Sequence, residues 1–270
     1  MSDRLARPYI EYGLTEHCNL KCHHCTVYAP YLKPSFAEIE SYRKDVIELA
    51  KHIRVNRFRL LGGEPLMHKH VIEFLQIAKD SGIGKSVGVC TNGELAPKMS
   101  EEFWQTIQFI DISVYPTSRI DYIEVLNLIK DKQQKYGFTM RTLRHKDTFQ
   151  IVNVDEEITD TVRIQKIFDT CDMAHSWSCH HIFEGRYYLC AKPCYQNKYF
   201  DRVGIKTDIN YREADGLTIH EPNFRQRLEA RLKDNTPLKA CAFCLGSSGP
   251  KFKGKQLTKE EIDAHLGVKE

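Results

Sequence analysis

The sequence predicts an α/β protein: a partial, open (β/α)6-type barrel followed by a small C-terminal β-hairpin plus helix extension. Three observations carry this reading. Short β-rich runs alternate with helical patterns from residue 9 to about 144. They make five or six units, too few to close an eight-fold barrel. After about residue 165 the alternation gives way to a segment dense in cysteine. Alternation of this kind implies parallel βαβ units, whose chemistry gathers at the carboxyl ends of the strands.

The elements follow in order. Tyr9 to Leu14 is a strand that ends just before a cysteine cluster. Phe36 to Ile53 is helical, because Phe36, Ile39, Tyr42, Val46, Leu49 and Ile53 recur at three- and four-residue spacings. Phe58 to Leu61 is a short strand closed by Gly62 and Gly63, and His70 to Lys79 a helix ending at Gly82. Ser86 to Cys90 is a strand before the turn signal Thr91-Asn92-Gly93. Ile110 to Val114 is a strand stopped by Pro116, Tyr122 to Lys135 a helix, and Phe138 to Leu143 a strand. Beyond them, Ile182 to Leu189 reads as a hairpin turning at Gly185, and Asn223 to Lys233 as a helix. The expected organisation is a barrel over 1–165, an extension over 166–250 and a solvated, Lys-rich tail over 251–270.

Composition excludes more than it identifies. With 270 residues, 41% hydrophobic, the chain can bury one substantial core and a small appended unit. A net charge of +3 gives no reason to expect nucleic acid or a membrane surface as partner. No apolar run approaches twenty residues, and the opening Met1 to Pro8 has no apolar core of a signal peptide. The expectation is a cytoplasmic protein. In a reducing compartment its ten cysteines, clustered as they are, read as metal ligands or catalytic thiols rather than disulfides.

Cys18, Cys22 and Cys25 place three thiolates within eight residues, on a loop leaving a strand. Thiolates suit an iron–sulfur cluster. The same set, completed by His23 or His24, suits a structural zinc ion. A four-iron cube held by three thiolates keeps one iron open for a ligand. Gly62-Gly63-Glu64-Pro65 ends the second strand, where two glycines let backbone approach closely and Glu64 offers an anion to an amine.

In this order and about forty residues apart, the Cys-x3-Cys-x2-Cys loop and the Gly-Gly-Glu-Pro strand end resemble the radical S-adenosylmethionine (SAM) superfamily over roughly residues 9 to 144. The resemblance implies an enzyme with a [4Fe–4S] cluster on Cys18, Cys22 and Cys25 that cleaves SAM reductively to a 5′-deoxyadenosyl radical. It implies that Gly62, Gly63 and Glu64 bind the methionine amino group, with Thr91, Asn92 and Ser113 as ribose contacts. His24 stands where the family usually has a carbocyclic aromatic, and its flat ring keeps an adenine contact. An external electron donor such as flavodoxin or ferredoxin is implied as well.

The later cysteines resemble the twitch and SPASM extensions of that superfamily. From Cys171 through Gly185 to Cys190 the chain follows their Cys-x(9–15)-Gly-x4-Cys plan, and Cys241 and Cys244 supply the later pair. The resemblance implies one auxiliary [4Fe–4S] cluster on Cys171, Cys190, Cys241 and Cys244; a zinc ribbon is the alternative for the same thiolates. Cys90, Cys179 and Cys194 remain. Cys90 and Cys179 are candidate hydrogen-atom donors to a substrate radical, although buried thiols are ordinarily inert. His180 and His181 read as ordinary polar residues, with His181 able to face substrate.

Two function classes accompany this architecture: oxidation or epimerisation of small polar metabolites, and modification of peptides or protein side chains. The runs Pro97 to Met99, Glu102 to Trp104, Tyr115-Pro116 and Asp121-Tyr122 are similar to a group of radical SAM proteins of about this size that accompanies carbohydrate or glycan functions. The first strand begins near residue 9, which leaves no room for a leader-recognition domain. The expected substrate is therefore a sugar, cyclitol or sugar nucleotide, with oxidation favoured over epimerisation.

Overall fold

The computed structural model describes residues 4–115, 120–144 and 148–268. Pro116, the expected strand stop, lies outside them. The chain forms two compact units: Met1–Leu20 with Pro34–Asp147, and Lys21–Lys33 with Thr148–Glu270. The division falls at 147/148 rather than 165, and the segment 21–33 belongs to the second unit.

The first unit is the expected parallel α/β structure. Its strands are β1 (Leu5–Thr15), β2 (Ile53–Gly62), β3 (Gly84–Thr91), β4 (Phe109–Ser113) and β5 (Thr139–Arg144). They lie side by side in the order β5-β4-β3-β2-β1, every pair parallel. Between them run α1 (Ile39–His52), α2 (Val71–Ser81), α3 (Glu101–Thr106) and α4 (Tyr122–Tyr136). The helical stripe predicted for α1 is real: Tyr42, Val46, Leu49 and the following Ile53 are fully buried. Phe36 is 44% exposed and lies before the helix, bridged to Thr15. Within the first unit these five described strands are mutually parallel.

One face of this sheet is apolar. Ile10, Tyr12 and Leu14 of β1, Phe58 and Leu60 of β2, Val87 and Val89 of β3, and Ile110 and Ile112 of β4 are all buried. The alternate positions carry charge, as the two-residue period of a strand allows. On that polar face Asp111 is fully buried and takes Arg141 at 2.6 and 2.8 Å and Arg57 at 3.1 Å, while Arg59 holds Glu11 at 3.0 Å.

The second unit has β6 (Thr148–Gln150), α5 (Thr161–Asp169), β7 (His181–Phe183), β8 (Arg186–Tyr188), α6 (Lys192–Val203), α7 (Tyr211–Asp215), β9 (Leu217–Thr218), α8 (Phe224–Lys233), β10 (Lys251–Lys253) and α9 (Lys259–His265). The predicted hairpin is β7 with β8. It turns through Glu184 and Gly185, both at positive φ, the conformation that matches the twist of a two-residue hairpin. β9 extends it and β6 pairs with β10, all antiparallel. Its core is aromatic: Tyr28, Tyr31, Phe183, Tyr188, Tyr195, Tyr199, Phe200, Tyr211 and Phe243 pack together.

Within the solvated tail expected over 251–270, the described residues are nearly all exposed or half-buried, yet ordered. It contains β10 and α9, the latter closed by a capping box between Thr258 and Glu261. Gln256 bridges Cys22, and the His265 ring stacks on Tyr31 at 4.4 Å. Lysines alternating with single apolar residues hid this order, because each apolar residue docks singly rather than in a periodic stripe.

Candidate functional site

In the first unit the predicted residues converge at the strand ends. Backbone does the first part of the work. Gly63 N donates to Thr15 O at 2.7 Å and Glu64 N to His17 O at 2.8 Å, so the end of β2 lies directly against the segment leading to Cys18. A Cβ on Gly62 would stand 2.3 Å from Thr15 O, and one on Gly63 2.2 Å from His17 O. The close approach that requires both glycines is therefore made by the chain itself.

Glu64 is the hub. It is fully buried, and its Oε1 accepts from Leu66 N (3.0 Å) and Thr91 Oγ1 (2.7 Å), its Oε2 from Asn92 N (2.8 Å). Burial pushes its carboxyl up to about 7, against the opposing pull of those three donors. Asn92 passes the network on. Its Nδ2 donates to Asn19 Oδ1 at 2.9 Å and lies 3.8 Å from Cys18 Sγ, while Leu20 N donates to that sulfur at 3.4 Å. Glu64, Thr91, Asn92 and Cys18 thus form one connected group. Ser113 is buried at the end of β4. Cys90 falls on the alternate, polar face, in register with Asp111.

Cys22, His24 and Cys25 lie in the second unit. Gln256 holds this stretch twice, accepting from Lys21 N at 2.6 Å and donating to Cys22 Sγ at 3.2 Å. His24 sits at φ 56, its ring 3.8 Å from His23 and 4.7 Å from Phe252. Burial and the neighbouring His23 lower its pKa, which favours a neutral ring. The Cys25 carbonyl accepts from Tyr28 N at 3.0 Å and from Asn153 Nδ2 at 2.9 Å.

Within the same unit the four later cysteines come together. Cys171 follows α5, Cys190 follows β8, and Cys241 and Cys244 lie in and at the end of a 3-10 turn, Lys239–Phe243. Burial raises Cys190 most, and then the charges of Cys241, Cys171 and Cys244 raise it further. Burial likewise raises Cys241 and Cys244, and each also feels Cys171. Thiols whose ionisation is opposed by burial and by neighbouring cysteines suit a cation, since a metal converts that repulsion into ligation. Asp215 fixes the turn, accepting from Lys239 N at 2.6 Å and Ala240 N at 2.9 Å; burial lifts its carboxyl to about 6. Gly246 N donates to Cys244 Sγ at 3.3 Å. Among the described residues, no group of three or more His, Cys, Asp or Glu side chains closes on a single metal ion.

The remaining candidates separate. Cys179 is half-buried, its amide donating to Met173 O at 2.9 Å. Cys194 is fully buried in the aromatic core, where desolvation raises its thiol well above the usual range. His181 is fully buried with Nε2 3.1 Å from the Tyr195 hydroxyl, and burial holds it neutral, down at about 3. It is a buried residue of the second unit. A cleft of about 510 Å³ lined by Arg186, Lys198, Asp201, Arg212 and Glu213, among others, contains no cysteine.

Sequence reasoning missed Lys192, Asn153 and Gln256. Lys192 is 4% exposed, and its Nζ donates to the Tyr28 hydroxyl and, at 3.0 Å, to Asn153 Oδ1. Burial pulls its pKa down to about 8, opposed chiefly by Cys244 and Cys190. The one signal available was a lysine inside the run Cys190-Ala-Lys-Pro-Cys194, which by composition alone is an exposed residue.

A family model described as the Radical SAM superfamily matches residues 12–146, half of the chain. The GTP 3′,8-cyclase of Geobacter sulfurreducens is 30% identical over 131 residues, 47% of this chain and 39% of that protein. That of Alkaliphilus oremlandii is 25% identical over 120 residues, 43% of this chain and 38% of that protein. The chain thus spans about two fifths of the length of these curated relatives. Among solved structures, BtrN in complex with AdoMet and 2-DOIA shares the fold with a TM-score of 0.51 at 17% identity, covering 92% of this chain and 96% of that one. No helix of the described residues is long and apolar enough to cross a membrane.

Proposed function

The chain belongs to the radical SAM superfamily, and on that premise we propose that it abstracts hydrogen from a small polar, carbohydrate-type substrate and oxidises it. Cys18, Cys22 and Cys25 would hold a [4Fe–4S] cluster, and Cys171, Cys190, Cys241 and Cys244 an auxiliary one. When bound, the first cluster supplies the electron that cleaves SAM to the 5′-deoxyadenosyl radical, and the second an acceptor for the electron an oxidised substrate gives up.

The chain's own residues prepare the SAM side. A carboxylate has about four acceptor positions. Glu64 has three filled by protein donors, which leaves one for the methionine amine. Gly62, Gly63, Thr91, Asn92, Ser113 and the ring of His24 are the further proposed SAM contacts. The likeness to BtrN, whose structure contains AdoMet and 2-DOIA, supports a small substrate. The observation that supports the two-cluster reading is the grouping of Cys190, Cys241 and Cys244, each acted on by the charge of Cys171, apart from the Cys-x3-Cys-x2-Cys loop.

Anaerobic reconstitution tests it. The full chain should take up about eight irons, two four-iron clusters on cysteine. Replacing Cys18, Cys22 and Cys25 together by Ala should remove about half of the iron and all 5′-deoxyadenosine formation. Stoichiometric zinc in the site that remains would overturn the auxiliary cluster and leave the SAM chemistry standing.

A further inference from the structure

Lys192 is a buried ammonium whose hydrogen-bond partners carry no charge. They are the Tyr28 hydroxyl and the amide oxygen of Asn153, with the Tyr28 ring 4.9 Å from Nζ. No carboxylate forms an ion pair with it among the described residues. Ammonium groups are almost never fully buried unless an anion compensates them, because desolvation costs several kcal/mol or more.

The compensating anion is indicated by the surroundings of Lys192 within the second unit. Lys192 follows Cys190 by two residues in the chain. Asn153, which receives Nζ, is backbone-bridged to Cys244. Cys244 and Cys190 favour the ammonium more strongly than Asp155, the next favourable charge. Asn153 also reaches the other way, donating to the carbonyl of Cys25 at 2.9 Å. One side chain therefore ties the third cysteine of the first motif to the lysine and to the last cysteine of the second.

A four-iron core on four thiolates is anionic overall, and its negative charge increases when it is reduced. Net charge and hydrogen bonds to the sulfurs are among the factors that set such potentials. We infer that Lys192 is the built-in counter-charge of the auxiliary cluster: its ammonium, oriented by Asn153 and Tyr28, favours the reduced state and so makes the cluster a better electron acceptor. The inference rests on the proposed auxiliary cluster.

The test uses the full chain with Cys18, Cys22 and Cys25 replaced by Ala, so that any remaining cluster is the auxiliary one. Its midpoint potential is read by redox titration with electron paramagnetic resonance. Lys192→Met should lower the equilibrium constant for reduction at least tenfold, about 59 mV for a one-electron couple. Lys192→Arg, which keeps the charge, should recover most of that shift. A cluster present in full with an unchanged potential in Lys192→Met would overturn the inference and leave the auxiliary cluster standing. An equal shift in Lys192→Arg would also overturn it, since packing rather than charge would then be responsible. A parent chain that retains no iron–sulfur signal would overturn both.

Discussion

The two cysteine-bearing regions solve the problem of buried charge in opposite ways. At the strand ends of the first unit, the carboxylate of Glu64 is surrounded by donors from its own chain: two amides and the Thr91 hydroxyl. In the second unit, burial raises the Cys190, Cys241 and Cys244 thiols, neighbouring cysteine charges add to it, and a buried lysine has only neutral hydrogen-bond partners. The first site satisfies most of its buried carboxylate from its own chain. The second balances its charges only with a metal cluster in place, by the proposal made above. Cofactor binding should therefore act on the two regions unequally.

Metal removal is the largest test of that contrast. Binding of a structural metal is worth on the order of 10 kcal/mol, and where the site forms only on binding this becomes folding free energy. Stripping iron anaerobically should sharply reduce amide hydrogen-exchange protection in α5, in α6 and in the turn Lys239–Phe243. Protection in β1 to β5 should persist, because that sheet is held by its own ladder and apolar face. Equal loss of protection in both units would abolish the distinction.

A second, smaller effect belongs to Glu64. Its pKa is raised from 4.5 to about 7 on folding. Between those values the native state holds more protons than the unfolded state, so stability falls as pH rises through that window. The loss levels off above pH 7, at a magnitude of ~3 kcal/mol. Glu64→Gln has no such titration, so its unfolding free energy should lack this component of the decline between pH 4.5 and 7. It should also lose ~1–3 kcal/mol of stability, because an amide nitrogen must face one of the three donors. Parallel urea titrations of both chains across that range check it, and identical pH slopes would mean the carboxyl is not held as described.

What the sequence made legible follows from the range of the forces involved. The β1–β5 strands and α1 were readable because their apolar residues repeat at short spacing. The cysteine motifs stand out because the spacing that defines them is local. The use of Gly62 and Gly63 was only half readable: the need for a close approach was evident, but not that Thr15 O and His17 O would occupy the space. Lys192, Asn153 and Gln256 were not readable at all. Each is an ordinary polar residue until tertiary structure joins it to a partner far along the chain, Asn153 to Cys25 across 128 residues and Gln256 to Cys22 across 234. The helix α3 escaped because six residues are too few to display a period, although its Ser100 cap was there to be seen.

The smallest expected effects come from Cys90 and Cys179, one thiol in each region, and they decide between the two reaction types. Oxidation of an alcohol removes one hydrogen atom, then one proton and one electron, and nothing returns to carbon. Epimerisation must give a hydrogen atom back to the substrate radical, and a thiol that supplies it exchanges its own hydrogen with water. The proposed oxidation therefore predicts 5′-deoxyadenosine and product in equal amounts, with no solvent deuterium on the carbon skeleton in D₂O. Cys90→Ala and Cys179→Ala should then each leave product yield within about twofold of the parent. Neither Cys90 nor Cys179 is fully buried, so each substitution should leave stability within roughly 1 kcal/mol. Product carrying one deuterium at an inverted carbon, lost in one variant while the iron content is unchanged, would overturn oxidation and identify the donor. Loss in Cys90→Ala would place hydrogen return on the polar face of the parallel sheet, beside Asp111. Loss in Cys179→Ala would instead assign that role to the second unit, in addition to the auxiliary cluster proposed for it.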